Sequence, residues 1–149
     1  MPTQFGSAAP PTGPHAEAPT RDFTAPAHPR HGLIASFRFA FAGIAYLFRT
    51  QRNARIHAAI ATAACGLALW LGLSRIDWCI LLLTIAGVLI LEGLNTALEA
   101  VVDLASPHVH PLAKVAKDVA AGMVLIAAIA SVAVGLLIFG PPLWAKLAP

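Results

Sequence analysis

The stretch Trp78-Cys-Ile-Leu-Leu-Leu-Thr-Ile-Ala-Gly-Val-Leu-Ile-Leu91-Glu92-Gly-Leu-Asn95-Thr-Ala-Leu-Glu99-Ala-Val-Val-Asp103 sets the reading of the chain. Its first half is apolar enough for a lipid bilayer, and its second half carries three acids without leaving helical periodicity. A helix turns about 100° per residue, so Glu92, Asn95, Glu99 and Asp103 fall within an arc of roughly 80°. At 1.5 Å rise per residue they form a polar ladder about 16 Å long. A charge facing lipid at mid-membrane costs about 2.5–3.5 kcal/mol or more, so intramembrane acids mark a functional stripe by default. With Lys117-Asp118 further on, the stripe suggests a site for a polyanion and its metal ions.

Composition agrees with a membrane protein. Of the 149 residues, 58% are hydrophobic and 11% charged, and the mean hydropathy is +0.73; a soluble domain carries about 25% charged residues. This length holds one domain. The net charge of +3 says less than its distribution. Arg21, Arg30, Arg38, Arg49, Arg52 and Arg55 precede the first long apolar run, whereas Glu92, Glu99, Asp103 and Asp118 lie in or just after the second. No basic and aromatic residues interleave on a soluble face, so a nucleic-acid partner is excluded. Cys65 and Cys79 stand alone in apolar runs and read as packing thiols.

Outward from the central stretch, the spacing predicts an all-α membrane protein. Residues 1–30 hold seven of the twelve prolines and read as a disordered tail without signal-peptide organisation. The membrane domain runs over 31–145. Leu33, Phe37, Phe41, Ile44 and Phe48 repeat at helical spacing, but Arg38 and Arg49 bracket too short an apolar run to span. Residues 33–48 are therefore expected to form an amphipathic surface helix. Three spans follow at 56–74, 78–104 and 115–139, the last ending at Gly140-Pro141-Pro142. Gly66, Gly72, Gly87, Gly122 and Gly135 are expected to allow close helix packing.

The positive-inside rule puts the arginine-rich amino end and the Lys114/Lys117 loop in the cytoplasm. Trp70, Trp78 and Trp144 all fall at the opposite face, as an aromatic belt would. The acidic end of the second span then lies on the cytoplasmic side, where nucleotide is available.

Glu92-Gly-Leu-Asn95-Thr-Ala-Leu-Glu99-Ala-Val-Val-Asp103, followed at fixed distance by Ala116-Lys117-Asp118, resembles the bacterial integral-membrane diacylglycerol kinase and undecaprenol kinase family. The resemblance covers about Ser36 to Phe139. It implies a homotrimer of three-span subunits with an amino-terminal surface helix, in the bacterial inner membrane. The implied activity moves the γ-phosphate of ATP to a lipid hydroxyl at the cytoplasmic face, with Mg2+. Glu92 matches the general base and Glu99 the metal-bridging glutamate, which also contacts ATP. Lys117 matches the lysine that neutralises phosphate charge and Asp118 its nucleotide-contacting neighbour. His108, Val109 and His110 match the loop that contacts nucleotide, while Asn95 and Asp103 orient the ligands. Where relatives carry a second metal-binding glutamate, this chain has Gln51, whose carbonyl can ligate Mg2+ without contributing charge. The segment from Asp103 to Asp118 looks closer to the undecaprenol-kinase branch, with diacylglycerol the other candidate lipid.

The chemistry asks for such residues. A lipid alcohol is a weak nucleophile and needs a carboxylate within reach; Mg2+ is a hard ion bound by carboxylates and phosphate oxygens. There is no glycine-rich phosphate loop. Against this stands a small transporter or channel using the carboxylates for ions or protons, or a merely structural polar seam. Neither inverted repeats nor broken spans are visible, as a transporter would be expected to show. His57, beside Arg55, reads as an interface residue, and the pair His108/His110 is too sparse for a metal site.

Overall fold

A computed structural model describes residues 32–106, 108 and 110–148. The proposed tail and Val109 lie outside the described residues. Four helices follow one another: α1 (Leu33–Thr50), α2 (Arg52–Leu71), α3 (Arg75–Ala105) and α4 (Pro111–Leu147), with no strand among the described residues. All four are long and apolar enough to cross a membrane.

Local signals explain the boundaries. Gln51 alone separates α1 from α2, in an extended conformation (φ −96°, ψ 116°) that turns the chain between the two helices. α2 stops at Gly72, whose φ of +69° is left-handed and suits a residue without Cβ. The Gly72 and Leu73 amides satisfy the carbonyls of Leu69 and Ala68. Ser74 then caps α3 by accepting from the Asp77 amide at 3.2 Å. Past Ser106, His110 caps α4 through Nδ1, which accepts from the Leu112 amide, with Pro111 at the first helical position.

Each expected segment coincides with a helix, but the ends differ. The segment 33–48 extends to Thr50, and 56–74 is the helix 52–71, closed by Gly72. Gly140-Pro141-Pro142 does not end α4, which continues through both prolines to Leu147. Proline at 141 and 142 removes the donors for the carbonyls of Leu137 and Ile138. The far turn is nevertheless held: Lys146 Nζ donates to the Trp70 carbonyl at 2.9 Å and lies 4.4 Å from the Trp70 ring centre. This contact ties the carboxyl ends of α2 and α4 together, so α3 runs antiparallel to both.

α3 packs most extensively on α4 and next on α2. Ala68, Leu81 and Ile138 form the buried centre at the Trp70 end, supported by Ala64, Trp78, Ile85 and Phe139. Large apolar side chains such as Ile60, Leu83, Ile90, Ile129 and Leu136 face outward. Such a surface suits lipid or a neighbouring membrane subunit, not water. Close packing at the glycines is largely absent within the chain: a Cβ at Gly66, Gly87 or Gly122 would meet nothing within 4 Å. Gly93 and Gly135 differ: a Cβ would stand 3.9 Å from Leu47 of α1 at the first, and 4.0 Å from Phe139 of the same helix at the second.

Candidate active site

The acidic stripe of α3 turns inward at its deeper end. Glu92 is 1% exposed and is the largest fully buried side chain among the described residues. It shares a cleft of about 260 Å3 with Asn53 and His57 of α2, Asn95 and Glu99 of α3, and Ala121, Val124, Leu125 and Ala128 of α4. Thr96, also buried but outside this cleft, donates its hydroxyl to the Glu92 main-chain carbonyl at 3.0 Å. Asn95 Nδ2 donates to Glu99 Oε1 at 3.1 Å. Glu92 Oε2 and Asn95 Oδ1 are buried and have no hydrogen-bond partner among the described residues. Unpaired buried oxygens are expensive in a folded chain, and at a site they mark places meant for a proton or a cation.

The shallow end of the stripe opens on a second cleft, of about 300 Å3. Val102, Asp103, Ser106, His108, His110, Ala113, Lys114, Lys117 and Asp118 line it. Lys117 pairs with Asp103 across the α3–α4 loop, and Lys114 pairs with Asp118 one turn along α4. Ser106 donates to the His108 carbonyl at 2.9 Å and so shapes the loop. Ion pairs this exposed contribute little stability; they hold charged groups at the cleft mouth. Each cleft is at or below the lower end of the ~300–1,000 Å3 usual for small-molecule pockets.

Residues 38–139 match the model of the family described as Prokaryotic diacylglycerol kinase. The chain belongs to the prokaryotic diacylglycerol kinase family. A Synechocystis sp. protein named Diacylglycerol kinase is 48% identical over 95% of this chain and 81% of its own length. The Bacillus subtilis Undecaprenol kinase is 49% identical over 74% of this chain and 90% of its own. The Escherichia coli K12 Diacylglycerol kinase is 31% identical over 67% of this chain and 82% of its own. Membership makes the chain an enzyme, a membrane lipid kinase of multi-pass helical build, and leaves the transporter reading without support.

The family match includes both clefts. Of the residues expected at the site, Glu92, Asn95 and Glu99 meet in the first cleft, and Asp103, His108, His110, Lys117 and Asp118 in the second. Gln51 lines neither; it stands at the start of α2, two positions before Asn53, and makes no side-chain capping bond. His57, expected as an interface residue, also lines the first cleft with Glu92. Its place was readable from the sequence: Asn53 and His57 are four apart and share a helix face. Lys114, three residues before Lys117, is the other omission, signalled by the same periodicity.

No cluster of three His, Cys, Asp or Glu side chains surrounds a single point among the described residues. The donor set beside Glu92 is instead one of oxygens: the Asn95 carbonyl and the Glu99 carboxylate. Oxygen donors supplied by one or two carboxylates, with phosphate and water completing the shell, suit Mg2+.

Proposed function

We infer that this lipid kinase transfers the γ-phosphate of ATP to the hydroxyl of undecaprenol or diacylglycerol, at the cytoplasmic face of the bacterial inner membrane. The observation that carries the reading is Glu92: a carboxylate 1% exposed, with one oxygen unpartnered among the described residues, inside a cleft that also holds Glu99.

Depth supports the assignment. With Trp78 at one interface, Glu92 lies about 21 Å further along α3 and Glu99 about 32 Å, against a hydrocarbon core of ~30 Å. Glu92 is thus below the second interface, where the hydroxyl of a membrane lipid can reach it, and Glu99 is at that interface. Glu92 takes the hydroxyl proton as the lipid oxygen attacks the γ-phosphorus. A lipid O–P bond forms, the bond to the β-phosphate oxygen breaks, and ADP leaves.

Glu99, steadied by Asn95, would hold Mg2+, which supplies charge neutralisation on the phosphates when bound. Gln51, outside this cleft in the single chain, is the proposed further oxygen ligand. Lys117 neutralises phosphate charge, Asp118 contacts the nucleotide, and Asp103 positions Lys117. His108, Val109 and His110 border the nucleotide.

Arg49, Arg52, Arg55, Lys114 and Lys117 lie at one end of the helix bundle and the tryptophans at the other, which supports a cytoplasmic amino terminus and site. In this reading α2, α3 and α4 span and α1, which carries Arg38 and Arg49, lies in the interface. The outward apolar faces support a homotrimer that shares its sites between subunits. The test is phosphate transfer from labelled ATP in detergent micelles, with undecaprenol and diacylglycerol side by side. Transfer to at least one supports the reading; transfer to neither overturns it, and the ratio of rates names the substrate.

A further inference from the structure

The basic side chains of the carboxyl-terminal half are few and unevenly placed. From Arg75 onward the chain has Arg75, Lys114, Lys117 and Lys146 as its lysines and arginines. Lys146 is occupied at the far end of the bundle with Trp70, and Arg75 starts α3 at that same end. Lys114 and Lys117 both line the loop-side cleft, three residues apart on the first turns of α4. Each ammonium is held by one carboxylate, Lys114 by Asp118 and Lys117 by Asp103.

We propose that Lys114 is a second phosphate-binding residue, which together with Lys117 clamps the polyphosphate chain of the nucleoside triphosphate. The proposal rests on the assignment of this cleft to the nucleotide. Residues three apart on a helix are neighbours on its surface, so the two ammonium groups can engage successive phosphates. The Lys114 side chain is 76% exposed, so it has no packing duty that would explain its place. Its present partner, Asp118, is itself a wall of the cleft. Phosphate, with more charge and more oxygens than a single carboxylate, competes for the ammonium and frees Asp118 to meet the rest of the nucleotide.

An anionic lipid headgroup offers the same phosphate chemistry, so the test has arms for both sources. ATP titrations of the full chain, Lys114→Gln, Lys114→Arg and Lys117→Gln are run in neutral detergent micelles and in micelles containing phosphatidylglycerol. Lys114→Gln is expected to raise KM for ATP roughly fivefold to tenfold in both, the effect of losing one charge-assisted contact at an open site. The KM for lipid stays put, Lys114→Arg recovers most of the loss, and equilibrium binding of ADP weakens in parallel. On an Asp118→Asn background Lys114→Gln still raises KM. A change only in phosphatidylglycerol micelles would assign Lys114 to headgroups and overturn the proposal. So would loss of the effect on the Asp118→Asn background, which would make Lys114 a mere support for Asp118. A normal KM in Lys114→Gln beside a raised one in Lys117→Gln sinks the second contact alone. Normal values in both sink the nucleotide assignment of the cleft along with it.

Discussion

Asn95, which lines the first cleft, donates its side-chain amide to Glu99 at 3.1 Å, one helical turn along α3, and its own oxygen is buried with no partner among the described residues. One residue thus orients the proposed metal-bearing carboxylate and adds a neutral oxygen beside it. Asn95→Ala removes both. Loss of such an orienting partner typically costs 10- to 100-fold in metal affinity or activity, so about that increase is expected in the Mg2+ concentration for half-maximal rate. An unchanged Mg2+ titration would separate Asn95 from the metal.

Gln51 is the position where the resemblance leads one to expect a carboxylate. It is the residue just before α2, two positions ahead of Asn53, which does line the cleft. Gln51→Glu is expected to lower the half-saturating Mg2+ concentration, because a charged oxygen ligand replaces a neutral one. The same titration in wild type and variant reads this out, and coincident curves would remove Gln51 from the metal shell.

At the other end of the bundle, Lys146 donates to the Trp70 carbonyl and sits over its ring. Lys146→Ala loses a carbonyl partner at the end of α2 and a cation–π contact of about 0.5–1 kcal/mol. A lower midpoint of thermal unfolding in detergent is expected, with kcat unchanged because neither cleft includes this residue. A drop in kcat at a temperature where the variant is fully folded would show coupling between the two ends.

The helices were legible because long uncharged runs give strong local signals, whereas the boundary at Gly72 was not. Read as a packing glycine inside a span reaching Ser74, Gly72 closes α2 in a left-handed conformation and leaves Ser74 to cap α3. The end of α4 was not, because Lys146 reaches a carbonyl 76 positions away. No local rule weighs that contact against two prolines. The stripe itself was legible from helical periodicity, but its division was not. Glu92, Asn95 and Glu99 face α2 and α4, while Asp103 pairs with Lys117 beyond them. The rotational setting of one helix on another decides which polar residue is buried, and for the same reason His57 read as an interface residue.

The most direct measurement concerns Glu92. Glu92→Gln keeps the shape of the buried side chain and removes the proton acceptor. In micelles with saturating ATP, Mg2+ and lipid alcohol, kcat for labelled phosphate transfer is expected to fall by roughly 10²- to 10⁴-fold, the usual contribution of a general base, while nucleotide binding persists. Transfer at near wild-type rate by a folded, ATP-binding Glu92→Gln enzyme would contradict the account at its centre.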